Sequence, residues 1–122
     1  SDYNAMVLEG FRDPDCGEIL RKGFTDFEGL NGDEQFRFHM WIIVHVLSAQ
    51  NMFLQSRENL THFELAETVL TFNASMLKLP GALQWWKTSR PILHPEFIAD
   101  MDKRIANCEP VSESWPWFVT NK

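Results

Sequence analysis

After Asn31 the chain reads GDEQFRFHMWIIVHVLSAQNMFLQSR, 26 residues from Gly32 to Arg57 with no proline among them. Asn31 and Glu34 have the N-x-x-E spacing of a capping box, in which each side chain serves the other residue's backbone N–H. The helix it opens is about 39 Å long at 1.5 Å per residue. Phe36, Met40, Ile43, Leu47 and Leu54 follow one apolar stripe along it, and Ile42, Val46, Ala49 and Phe53 follow a second. A helix apolar on two sides belongs at the centre of a bundle, with neighbours on both flanks. Alternating β-branched runs are absent, and Gly and Pro punctuate helices rather than hairpins. The expectation is an all-α, single-domain bundle of five to six helices around the long central helix 32–57, with the bundle spanning 1–108 and an irregular aromatic tail at 109–122.

The remaining helices follow from their ends. Asp2 to Arg12 reads as a helix with Met6, Val7 and Phe11 as its apolar contacts. Asp13-Pro14 restarts the chain as N-cap and first helical residue, and Gly23 is the expected exit. FTDFEGL is a connector with the character of a single turn. Thr61 to Glu64 spells a second capping box with Leu60 and Leu65 as its staple, and Leu65, Val69, Phe72 and Met76 form the expected buried face of a helix reaching Leu77. Pro80 opens a short helix to Ser89, because Pro91 disfavours helical geometry at Arg90. Pro95 opens the last, after His94 as N-cap, with Phe97, Ile98, Met101 and Ile105 facing inward.

At 122 residues, 44% of them hydrophobic, the chain can bury a substantial core. Its net charge of −6 is localised: residues 1–34 hold nine acids against three bases, and the remainder holds eight of each. No basic stripe is available to neutralise phosphates, which argues against nucleic acid. Cys16 and Cys108 lie near opposite ends and read as two separate thiols. The strongly apolar run Met40–Leu47 is too short to span a bilayer.

Chemistry has left few traces. His39 and His45 are six residues apart, about 240° in projection, so they leave opposite sides of their helix and cannot share a metal. His62 and His94 sit at helix starts without metal-ligand spacing. Cys16 lies near a helix N-terminus, which lowers a thiol pKa, yet Asp13, Asp15 and Glu18 oppose that effect. No serine or cysteine has a base and an orienting acid at a recognisable spacing, and phosphate-cradling glycine patterns are missing, so no catalytic, cofactor-binding or metal-binding residue is assigned. The candidates for ligand binding or an interface are Trp85, Trp86, Arg90 and His45, with Trp115, Trp117 and Phe118 in the tail. Adjacent tryptophans point about 100° apart on a helix, so one is expected in the core and the other beneath the following turn. Arg90, four residues after Trp86, is placed to lie over its ring as a cation–π pair. The cluster is therefore read as a corner where helices meet. The tail aromatics either fold back over a groove of the same bundle or dock onto a second copy or another protein.

DPDCGEILRKGFTDFEGLNGDEQFRF, the long helix, and LPGALQWWKTSRPILHPEFIADMD together resemble a large uncharacterised family of bacterial helical domains. The likeness covers residues 1–105 and rests on Asp13, Pro14, Gly23, Glu34, Phe36, Pro80, Gly81, Trp85, Trp86, Arg90, Pro95, Glu96, Phe97 and Asp102. Asn31 and His94 depart from it, at cap positions where threonine or serine, and serine, are usual. The family commonly carries an N-terminal membrane helix and a basic segment, neither of which is in these 122 residues. The resemblance implies a cytoplasmic domain at the inner face of the cell membrane, tethered through such a segment, and no cofactor. The leading expectation is a non-enzymatic protein-interaction or self-association domain, with a homo-oligomer or another protein as partner. The alternative is a small-ligand sensor with an aromatic pocket between helices near Trp85, Trp86 and His45, and an enzyme with a spatially assembled site ranks behind both.

Overall fold

The structure, a computed structural model, describes residues 14–112. Among them are five α-helices and no strand: α1 (Pro14–Thr25), α2 (Gly32–Arg57), α3 (Phe63–Leu77), α4 (Pro80–Ser89) and α5 (Pro95–Asn107). Single 3-10 turns at Phe27–Gly29 and Arg90–Ile92 complete the path. The all-α expectation holds. The expected helix 2–12 and the aromatic segment 113–122 lie outside the described residues.

α2 is the spine. Its capping box forms in full: the Glu34 N–H donates to Asn31 Oδ1 at 2.9 Å, and the Asn31 N–H donates to Glu34 Oε1 at 3.1 Å. At its other end Asn59 takes a left-handed conformation with φ 59°. The Leu60 N–H then returns to the Gln55 carbonyl and the Asn59 N–H to that of Ser56. This is the Schellman arrangement, with asparagine in the place glycine usually fills. The reversal makes α2 and α3 antiparallel neighbours. α3 starts at Phe63 with His62 as N-cap, so the second capping box does not form. The Thr61 hydroxyl donates to Met52 Sδ instead, and Leu60 and Leu65 stay exposed rather than closing a staple.

The core is continuous across all five helices. Ile19, Leu20, Phe38, Ile42, Val46, Ala49, Leu70, Ala74, Leu77, Trp85, Trp86, Phe97 and Met101 are among its members. Of the two stripes on α2, the one through Ile42, Val46 and Ala49 is buried. The other is buried at Ile43 but exposed at Phe36 (62%), Met40 (38%) and Leu47 (45%). On α3 the expected face is turned by about a third of the helix circumference. Ala66, Leu70, Asn73, Ala74, Met76 and Leu77 are buried, whereas Leu65 and Phe72 are 52% and 43% exposed. Both corrections share a cause: apolar rows mark the sides of a helix that avoid water, but neighbouring elements decide which row is covered.

α1 continues past Gly23 to Thr25, so this glycine does not end the helix. It lets two helices touch. A Cβ built on Gly81 would overlap the Gly23 carbonyl, and one built on Gly23 would overlap the Phe38 ring. The pair brings the backbones of α1 and α4 into direct contact, which is what positions the tryptophans of α4 over the core.

Candidate functional site

Both tryptophans are fully interior, Trp85 at 0% and Trp86 at 1% exposed. The expected division, with one ring under the following turn, is replaced by two core rings that face different neighbours. A buried indole N–H needs an acceptor. Trp85 Nε1 donates to His39 Nδ1 on α2 at 2.9 Å, and Trp86 Nε1 donates to Asp102 Oδ1 on α5 at 2.7 Å. Trp86 also meets Phe97 edge-on, with centroids 6.2 Å apart. Two consecutive residues of α4 thus fasten it to α2 in one direction and to α5 in the other.

Arg90 does not lie over Trp86. Its guanidinium Nη1 stands 2.7 Å from each oxygen of Asp102, so this carboxylate takes the indole N–H and the arginine together. The arginine also holds a helical backbone conformation, φ −60° and ψ −26°, despite the following proline. Its N–H returns to the Trp86 carbonyl, and the chain passes directly into the 3-10 turn. The cation–π contact found among the described residues is Arg57 over Phe53, 5.5 Å from the centroid.

His45, expected near the tryptophan corner, lies elsewhere. Its ring sits 4.2 Å from that of Trp41, which in turn packs on Phe24 of α1. Burial holds its pKa down to about 4, so it is neutral at physiological pH. His39 is the imidazole that reaches the corner, and burial lowers its pKa as well. Accepting from Trp85 requires Nδ1 to be unprotonated, which places the proton of the neutral ring on Nε2. The sequence carried the need for two acceptors, since two buried indole donors demand them, but not which residues would meet it.

A second polar clasp joins α3 to α5. Arg104 donates to both Glu67 oxygens at 2.9 Å and to Asp100 at 2.7 Å, which lowers the Glu67 pKa and raises that of the guanidinium. Gln50 on α2 accepts the His94 N–H at 2.8 Å, and His94 Nδ1 caps α5 by accepting from the Glu96 N–H. Cys16 and Cys108 are not joined in a disulfide. Among the described residues no group of three or more His, Cys, Asp or Glu is arranged to hold a metal ion, and no helix is long and apolar enough to cross a membrane.

What remains is the surface. Arg104 grips Glu67 and approaches Thr71 on one flank of α3. Leu65 and Phe72 lie roughly 140–160° round the helix from Glu67, at 100° per residue, away from the Arg104 clasp. On α2, Trp41 and His45 mark the flank toward α1, and Phe36, Met40 and Leu47 lie about 100–180° from them, on the flank that Gln50 and Leu54 carry toward the start of α5. Compared with known family models, curated proteins and solved structures, the chain matches none.

Proposed function

We propose that this chain is a non-enzymatic helical domain that associates with a second copy of itself through the outer row of α2, as part of a membrane-tethered bacterial protein. The observation that carries the reading is the row of exposed apolar side chains along α2, Phe36, Met40 and Leu47. Scattered exposed leucines need no explanation, but large apolar residues aligned along one helix face mark an interaction surface. The polar groups of the tryptophan corner are committed to one another, which argues for a joint over a reaction chamber or a ligand pocket. Membrane tethering and a cytoplasmic setting rest on the family resemblance.

Sedimentation equilibrium of the full chain across a concentration series tests this. The reading expects dimer that dissociates on dilution, with Leu47→Glu monomeric at every concentration. A monomeric native chain throughout, or a Leu47→Glu chain that still dimerises, would overturn it.

A further inference from the structure

Independently of how the chain associates, we infer that Asn31 is a modification site, at which the side-chain amide is lost spontaneously. The nucleophile is the backbone nitrogen of Gly32, and the Asn31–Glu34 capping box is the restraint that sets the rate. No other asparagine in the sequence is followed by glycine. Both residues are exposed, and a Cβ on Gly32 would meet nothing within 4 Å, so the approach beside its nitrogen is open. As the first residue of α2, Gly32 also has no acceptor for its N–H within the helix.

The chemistry needs only water. The Gly32 nitrogen, its proton taken by hydroxide, attacks Asn31 Cγ. A C–N bond forms there, the Cγ–Nδ2 bond breaks, and the amide leaves as ammonia with a proton from solvent. The product is a five-membered cyclic imide in which the Gly32 nitrogen is joined to both carbonyls of residue 31. Water then opens one of those two bonds, giving aspartate if it adds at Cγ and isoaspartate if it adds at the main-chain carbonyl. One water enters, one ammonia leaves, and nothing is oxidised or reduced.

The fold holds this reaction back. At ψ 174° Asn31 Cβ and Gly32 N are staggered about the Cα–C bond, whereas ring closure brings them nearly eclipsed. The side chain is held too, because Oδ1 accepts from the Glu34 N–H at 2.9 Å while Glu34 Oε1 accepts from the Asn31 N–H at 3.1 Å. Deamidation therefore runs through the molecules in which the box has opened. An aspartate at this position keeps a cap acceptor. Isoaspartate instead adds a carbon to the main chain and removes the geometry on which the box and the 2.8 Å bond from the Gln35 N–H to the Asn31 carbonyl depend. It frays the end of α2 that carries Phe36.

Peptide mass mapping of the full chain, incubated at mildly alkaline pH beside a synthetic peptide spanning 28–36, tests this. The expected result is aspartate and isoaspartate at position 31 before any other asparagine converts, more slowly than in the peptide. Gly32→Ala should suppress both products. Glu34→Ala should raise the rate about fivefold, the change in open population that losing a helix cap brings. Glu34→Gln, which keeps the acceptor, should stay near the native rate. Asp102→Ala, a destabilised variant far along the chain, should also leave it unchanged, which separates opening of the box from global unfolding. An Asn31 still intact when the peptide has fully converted would overturn the inference. So would earlier loss at another asparagine, a Gly32→Ala chain that converts as fast as the native one, or a Glu34→Ala chain that converts no faster. None of these outcomes depends on whether the chain dimerises.

Discussion

Asp102 accepts the Trp86 indole N–H at 2.7 Å from within α5, seven residues after Pro95, where its two oxygens also hold Arg90. One carboxylate thereby closes α4, the Arg90–Ile92 turn and α5 into a single unit. Asp102→Ala leaves a buried indole donor without its acceptor, which costs about 1–3 kcal/mol. Asp102→Asn keeps an acceptor and is expected to cost less. Arg90→Ala removes a pair whose side chains are 36% and 40% exposed, and is expected to cost under about 1 kcal/mol. Urea denaturation of the three variants orders them Ala at 102, then Asn at 102, then Ala at 90. An Arg90→Ala loss exceeding that of Asp102→Ala would show that the ion pair, not the indole bond, is the working contact.

The two interior histidines make stability depend on pH. Burial lowers both pKa values below the ordinary 6.5, to about 4 for His45. Between the unfolded and folded values the unfolded chain binds more protons, so stability rises with pH through that window and falls as pH drops from about 6.5 toward 4. His45 alone accounts for a loss on the order of 2–3 kcal/mol across it. The lowered pKa values of Glu34 and Glu67 act in the same direction, but from about 4.5 downward, so the upper part of the window belongs to the histidines. Denaturation midpoints should fall between pH 7 and pH 4.5, and His45→Leu should flatten the fall. A native profile that is flat over this range would contradict the burial of both rings.

Gly81 carries a steric prediction. Its substitution by alanine must push α4 from α1, because the obstruction is the Gly23 backbone carbonyl, which cannot rotate away. Gly81→Ala is expected to cost about 3 kcal/mol or more. Gly32→Ala, where nothing lies within 4 Å of the added carbon, should be tolerated. Thermal melts of the two variants make the comparison internal to one protein.

Asn73 predicts a gain. It is 7% exposed, and its Nδ2 donates to the Val69 carbonyl while Oδ1 meets no donor among the described residues. Replacing a half-satisfied buried amide by an apolar group of similar size removes its desolvation cost, so Asn73→Leu is expected to stabilise by about 1 kcal/mol. A loss of that size in urea denaturation would mean that Oδ1 is satisfied after all.

The helix starts were legible in the sequence because caps and prolines act locally: the Asn31–Glu34 box, Pro80 and Pro95 each stand at the expected place. The exposed row of α2 was not, because Phe36, Met40 and Leu47 form as regular a row as Ile42, Val46 and Ala49. Only the arrival of α1, α4 and α5 on one side separates them. Gly23 reads equally as an exit residue or a close-approach residue until Gly81 is known to face it. At the tryptophan corner, the choice of corner over cavity could be read from composition. The partners could not, since His39 lies 46 residues from Trp85 and Asp102 lies 16 from Trp86.

The central claim is that this domain works through the outer row of α2 and is merely held together by the tryptophan corner. Sedimentation and denaturation of two variants, Met40→Glu with Leu47→Glu, and Trp86→Phe, test it side by side. The account predicts that the surface variant becomes monomeric with its unfolding midpoint little changed, while Trp86→Phe loses stability yet still dimerises. A surface variant that dimerises like the native chain, together with a folded Trp86→Phe that no longer associates, would contradict it.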